Sequence, residues 1–297
     1  MSNSLETNEK DQLKSWLLLI FLAVIWGLSF ILVKKIVHTF IAVELGAGRI
    51  FIAGIALAPW AIKNIKKLDS KKIPTLIVSG LTGYLIPAFI FGIVGSKLNS
   101  SLAGTLNATT PLFVLVIGGL FFHKRITKSQ VFGLLIAFTG SLLLILSGGT
   151  HSLDFNNPYA LLVIVATIMY GLNANIVGVS LSGIKPIVIS SFSLIFVGTI
   201  SFFILLFSTD FFHKILLEEN RTLLIYFLLL GVINSGIAAV VYNYVLQISS
   251  PVFASSVTYL IPIVATIAGL FDGETIVIWH YLGMGIILLG IYLLNKK

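Results

Sequence analysis

The chain offers little to an enzyme and something more definite to a binding site. It has no cysteine and only 11 Asp and Glu among 297 residues, which excludes a disulfide framework, a zinc thiolate centre and a thiol nucleophile. The five histidines (His38, His123, His151, His213 and His280) are scattered, without an HExxH spacing. Acid–base, nucleophilic and metal chemistry need such groups in clusters, so no catalytic residue, metal or cofactor is expected. The long apolar stretches instead carry carboxamides, hydroxyls and aromatics: Trp26, Ser29, Tyr84, Asn107, Thr110, Asn173, Asn234, Tyr242, Asn243 and Thr258. They also carry two prolines, Pro111 and Pro262. Such groups hold a small solute by hydrogen bonds and ring contacts without transforming it.

The elements that position them follow from composition. Apolar residues make up 57% and charged residues 10%, against roughly 25% charged in an ordinary soluble domain. Mean hydropathy is +1.05. A soluble enzyme, a disordered chain, a coiled coil and a nucleic-acid-binding module are all excluded by these values. A bilayer crossing needs about 20 mostly apolar residues in a helix. Charge-free runs cover 15–33, 73–96, 98–122, 129–153, 155–184, 186–209, 222–271 and 275–295. The run 222–271 breaks at Gln247-Ile248-Ser249-Ser250-Pro251 into two spans, and a further span over about 41–62 takes in Glu44 and Arg49. The expectation is an all-α membrane protein of ten transmembrane helices. A membrane β-barrel would alternate over ten-residue strands, and these runs do not. The polar segment Met1–Lys14 precedes an apolar run with no small-residue cleavage site, so no cleaved leader is expected.

With both termini inside, 13 Lys and Arg fall in inner segments and 5 in outer ones. That asymmetry favours cytoplasmic termini, and it also accounts for the net charge of +8 without nucleic acid.

The two halves resemble each other. SSLAGTLNATTPLFVLVIGGLF (100–121) parallels SPVFASSVTYLIPIVATIAGLF (250–271), matching Pro111 with Pro262. Gly133 and Gly140 match Gly283 and Gly290, Trp26-Gly27 matches Tyr170-Gly171, and Gly54 matches Gly198. The chain therefore reads as two five-helix repeats, 1–150 and 151–297. Five is odd, so the second repeat is expected upside down relative to the first. Inverted repeats are a transporter architecture, with the substrate site near the membrane midplane between the halves.

At these residues the sequence resembles the EamA family of the drug/metabolite transporter superfamily. The resemblance rests on Trp26-Gly27 in span 1, Arg49 early in span 2 and the Ala-containing start of span 4 with its Pro111. The closing pattern GLFDGETIVIWHYLGMGIILLG (269–290) completes it. One departure is Lys124 where the second half has Glu274. The resemblance implies export or exchange of amino acids and other small metabolites, with spans 1, 3, 4, 6, 8 and 9 lining a central cavity.

Each residue supports two readings. A mid-span proline frees the carbonyl four residues back, here Asn107 and Thr258, and that carbonyl either binds an ammonium or hydroxyl or is re-satisfied at a packing kink. Asn107, Asn173, Asn234 and Asn243 face a cavity or another helix, because facing lipid is too costly. Most single Ser and Thr hydroxyls bond helix to helix. Arg49 is read as a structural charge tying span 2 to its neighbours, Glu44 as a solvated helix start, and Asp272 and Glu274 as outer-loop residues. The glycine pairs in spans 5 and 10 fit an internal seam or a homodimer interface equally.

An intramembrane enzyme lacks its residues here, and a channel lacks a charged ring or filter loop. The same ten spans would also serve an uptake permease or a lipid scramblase. Phosphorylated substrates would want several cations in the cavity, and only Arg49 lies clearly inside the membrane, with Lys97 at an edge. The expected partners are therefore the lipid bilayer and a neutral or zwitterionic small-molecule substrate, carried outward by alternating access. The expected location is the cell (inner) membrane.

Overall fold

In hydrocarbon no water pairs with backbone N–H and C=O groups, so a spanning segment must satisfy them within itself. The computed structural model of the chain meets that demand with helices. It describes residues 2–95, 97–98, 100–147, 157–271 and 277–295, and no strand occurs among them. Ten helices are long and apolar enough to cross a membrane. They are span 1 (Asp11–Ile36), span 2 (Ala42–Asn64), span 3 (Ser70–Gly95), span 4 (Leu102–Phe122) and span 5 (Lys128–Ser147). The second set is span 6 (Tyr159–Ser180), span 7 (Pro186–Ser208), span 8 (Glu218–Ile248), span 9 (Pro251–Ala268) and span 10 (Ile278–Asn295). One short helix, Phe211–Leu216, lies between spans 7 and 8. Asp272 and Glu274 fall outside the described residues.

Large apolar side chains cover the outside, where a soluble protein would carry charge; Phe207, Phe121 and Leu161 are among the most exposed. Packing inside relies on small residues, because lipid supplies no hydrophobic drive between helices. Spans 5 and 10 make the most extensive contact among the described residues. A Cβ on Gly140 would lie 2.7 Å from Ile287 N and 2.9 Å from the Gly283 carbonyl oxygen. A Cβ on Gly283 would lie 3.0 Å from the Gly140 carbonyl oxygen. The glycines at a spacing of seven thus form an internal seam within one chain, which removes them as a reason to expect a homodimer. Spans 2 and 7 cross where Gly54 meets Gly198, with Cα and virtual Cβ 3.3 Å apart.

Helix neighbours come in pairs related by exchanging span n with span n+5. Span 1 packs on span 9 as span 6 packs on the second half of span 4. Span 2 packs on span 8 as span 7 packs on span 3. The detail extends to single atoms: a Cβ on Gly80 would meet the Ser193 carbonyl oxygen at 2.7 Å, and one on Gly231 the Arg49 carbonyl oxygen at 3.1 Å. Gly80 and Gly231 are 151 residues apart, while Arg49 and Ser193 share the 144-residue offset of Gly54 and Gly198.

Four spans are distorted near their middles. Span 3 widens to a π turn at Leu81–Leu85 and span 8 at Leu229–Ile237. Span 4 is interrupted between Asn107 and Thr110, span 9 between Ser255 and Val257. Pro111 sits in the first turn of the restarted helix, where its missing N–H costs nothing. Pro262 lies inside its helix and withdraws a donor there.

The seam generates a test. Gly140→Leu is expected to destabilise the protein by about 1–3 kcal/mol or more, because backbone faces backbone and cannot give way. Gly285→Ala, whose Cβ would meet no atom within 4 Å, is expected to be silent. Thermal unfolding in detergent, followed by circular dichroism, separates the two.

Candidate functional site

Spans 1, 2, 3, 7 and 8 bring polar side chains together around the π turns of spans 3 and 8. Trp26 Nε1 donates to the Asn234 carbonyl oxygen at 3.0 Å, and Asn234 Nδ2 donates back to the Ile25 carbonyl oxygen at 2.8 Å. Asn234 lies in the π turn of span 8, where the wider winding takes backbone carbonyls out of register and presents them sideways. Arg49, on span 2, reaches the same turn: Nε donates to Ser235 Oγ at 3.0 Å and Nη2 to Asn234 Oδ1 at 3.4 Å. A second cluster adjoins it. Asn243 Nδ2 donates to Ser190 Oγ at 2.8 Å and to Tyr84 Oη at 3.3 Å, joining spans 8, 7 and 3. Asn243 is fully buried, and its Oδ1 has no hydrogen-bond partner among the described residues.

Aromatic rings flank both clusters. The Trp26 and Tyr242 rings lie 5.6 Å apart, and the Phe91 and Tyr170 rings stack at 6.2 Å. Tyr170 aligns with Trp26 in the repeat, and Phe91 lies 151 residues before Tyr242, so the two ring pairs occupy equivalent places. Trp26, Arg49, Tyr84, Tyr170 and Tyr242 all keep partial exposure in the interior of the bundle.

The remaining candidates divide differently. Asn173 is buried and accepts the Ser79 hydroxyl at 2.7 Å, a contact between spans 6 and 3. The hydroxyls of Ser29, Thr110 and Thr258 turn onto their own helices, donating to the carbonyls of Trp26, Asn107 and Ser255. The Asn107 carbonyl, four residues before Pro111, accepts the Thr110 hydroxyl at 2.7 Å. Asn107 Oδ1 is buried beside that break, without a partner among the described residues.

Glu44 behaves unlike its sequence reading, whereas Arg49 ties span 2 to span 8 as a structural charge would. Glu44 is 1% exposed rather than a solvated helix start. It accepts the Ile41 backbone N–H at 2.9 Å and the Lys214 ammonium on both oxygens at 3.0 Å. Lys214 comes from the short helix after span 7, 170 residues away. Arg49, in contrast, has no carboxylate partner among the described residues. Tyr170, Ser190 and Phe91 escaped the sequence reading. The alignment of Tyr170 with Trp26 was the available pointer to the first.

The two faces of the bundle differ. On the side of the termini the second half of span 4 packs on the first half of span 9. Lys14 Nζ donates to Tyr244 Oη at 2.7 Å, Lys72 Nζ to the Ser180 carbonyl oxygen at 2.9 Å and Gln247 Nε2 to the Ile184 carbonyl oxygen at 2.7 Å. A cavity of about 200 Å³ there is lined by Lys124, Arg125, Gln130, Asn175 and Gln247, among others. On the opposite side the first half of span 4 has no comparable packing on the second half of span 9 among the described residues.

Comparison with known proteins places this geometry. The family model described as "EamA-like transporter family" matches twice, over residues 13–146 and 157–296. An uncharacterized transporter of Archaeoglobus fulgidus is 26% identical over 287 residues, spanning 96% of this chain and all of the relative. The uncharacterized inner membrane transporter YedA of Escherichia coli K12 is 25% identical, covering 92% of this chain and 88% of its own. A protein of known crystal structure superposes with a TM-score of 0.73 over 93% of this chain and 94% of its own at 15% identity, which establishes a shared fold.

The buried ion pair gives a stability prediction. Lys214→Met strands the Glu44 carboxylate in an apolar surround and is expected to cost about 2 kcal/mol. Arg221→Met breaks a fully solvated pair with Glu218 and is expected to cost under about 1 kcal/mol. Parallel thermal melts of the two variants measure the difference.

Proposed function

The chain belongs to the EamA-like transporter family, and from that premise we propose that it is a secondary exporter or exchanger of small neutral or zwitterionic metabolites such as amino acids, working by alternating access. The observation that carries this reading is that the π turns of spans 3 and 8 lie at adjoining polar clusters, to which spans 1, 2 and 7 also contribute. Irregular backbone at membrane depth persists only where it is buried in protein or lines a water-filled space. Here it borders Trp26, Arg49, Tyr84, Asn234, Tyr242 and Asn243. In such transporters the substrate site sits at the interface of repeats, on interrupted helices.

The paired helix contacts and the double family match support the division into repeats at 1–150 and 151–297, the second inverted. An inverted repeat supplies alternating access directly. The closing contact between spans 4 and 9 on the side of the termini is made by one set of half-helices. Exchange of roles between the repeats would move that contact to the equivalent half-helices on the other side. The state described here is then closed toward the termini and open opposite them. The Lys and Arg asymmetry puts the termini in the cytoplasm, and the relative named as an inner membrane transporter supports the same membrane. The only described acid buried within a span, Glu44, is held by Lys214, so flux down a solute gradient fits better than a proton relay.

The test is an extracellular metabolite profile of cells expressing the wild type or Trp26→Phe/Tyr84→Phe at matched membrane levels. The variant keeps an aromatic ring at both positions and removes their hydrogen-bonding groups. A solute that accumulates outside with the wild type, and about two- to tenfold more slowly with the variant, is the expected result, the size of lost neutral hydrogen bonds. A medium unchanged by the wild type would count against export.

A further inference from the structure

A guanidinium inside a membrane bundle is costly and normally meets an anion or water. Arg49 meets neither a carboxylate nor any other charged group among the described residues. Its contacts are a serine hydroxyl at 3.0 Å and a carboxamide oxygen at 3.4 Å, both neutral. The acids whose side chains are described lie elsewhere: Glu44 is held by Lys214, and Asp11, Asp69, Asp210, Glu218 and Glu219 sit at span ends or in connections.

The geometry of the two bonds is informative. A guanidinium carries five N–H donors in a rigid planar fork. Ser235 and Asn234 take one donor each from Nε and Nη2, which is the side edge of that fork. The end edge, formed by Nη1 and Nη2, has no protein acceptor among the described residues. An end edge matches a carboxylate with two parallel hydrogen bonds. The neutral bonds therefore hold the fork in place and leave its strongest recognition edge for something not in the chain.

The surroundings specify the rest of that ligand. Asn234 connects Arg49 to the Trp26–Tyr242 ring pair. We infer that Arg49 is the carboxylate-reading residue of the central site, so the substrate is a small organic acid or amino acid with an apolar body seated against the Trp26–Tyr242 ring pair. Primary amines that lack a carboxylate are not carried. This assignment rests on the transporter reading above and adds to it the charged group the solute must possess and the residue that reads it.

The experiment uses the full chain in proteoliposomes and measures exchange of L-leucine and L-phenylalanine against isoamylamine and phenethylamine, with 4-methylpentanoate, 3-phenylpropionate and chloride as competitors. The expected result is exchange of the amino acids, competition by both organic acids, and no exchange of the amines. Arg49→Gln is expected to lower exchange about tenfold or more, the loss of a charge-assisted bond, and Arg49→Lys to retain part of it. Circular dichroism melts verify that both variants are folded, and the wild-type selectivity needs no variant at all. Exchange of the amines as fast as the amino acids would overturn the carboxylate assignment and leave the transporter reading intact. Arg49→Gln exchanging at the wild-type rate would also overturn it. Competition by chloride as strong as by the organic acids would make Arg49 an inorganic-anion site instead. Absence of exchange for every solute would remove both this inference and the proposed substrate class.

Discussion

Every feature of this protein depends on the absence of water around its backbone. In hydrocarbon an unpaired N–H or C=O costs several kcal/mol, so helices are the default and any departure from them needs a partner. Each departure here has identifiable partners. The π turn of span 8 hands its Asn234 carbonyl to Trp26 and its side chains to Arg49 and Ile25. The break in span 4 is mended from within, by Thr109 donating to Leu106 and Thr110 donating to Asn107. Span 9 repeats the device with Ser255, Ser256 and Thr258 donating to Val252, Phe253 and Ser255. Short hydroxyl side chains at a helix break thus do structural duty first, and the rings and carboxamides remain to face a solute.

The same constraint sets how helices approach. With no hydrophobic force between them, they need close backbone contact, and glycine provides it at the crossings of spans 5 with 10 and 2 with 7. The first of these lies away from the polar cluster and joins the two halves of the chain like a hinge pin. The second lies within one to two turns of Arg49 on span 2. The proposed exchange between repeats would pivot on the seam of spans 5 and 10.

Much of this was legible in the sequence, for physical reasons. Ten spans can be counted because each must be long and apolar enough to cross hydrocarbon. The carboxamides Asn234 and Asn243 stand out because lipid excludes them, and the structure puts both in the central cluster. Rotation about each helix is what one chain does not encode simply. Ser29, Thr110 and Thr258 have the same composition signal as Asn234, yet their hydroxyls bond backward along their own helices. The π turns leave no residue signature, since they reflect packing around Gly80 and Gly231 rather than local propensity. The partner of Glu44 was hidden by distance, Lys214 lying beyond five further spans.

The two charges of span 2 then show how the fold treats cost. Glu44 and Arg49 are five residues apart, on different faces, and do not neutralise each other. Glu44 is closed off: a capped helix start, an ammonium on both oxygens and 1% exposure leave it nothing to offer. Arg49 is held only by neutral groups and keeps an unused edge. A fold that needed both charges only for stability would have treated them alike, since a buried ion is cheapest when fully paired. That one is sealed by an opposite charge and the other is left half-satisfied beside an aromatic pair is the argument for separating their roles. Glu44 fixes the junction of span 2 with the helix before span 8, and Arg49 waits for a charge that arrives with the solute.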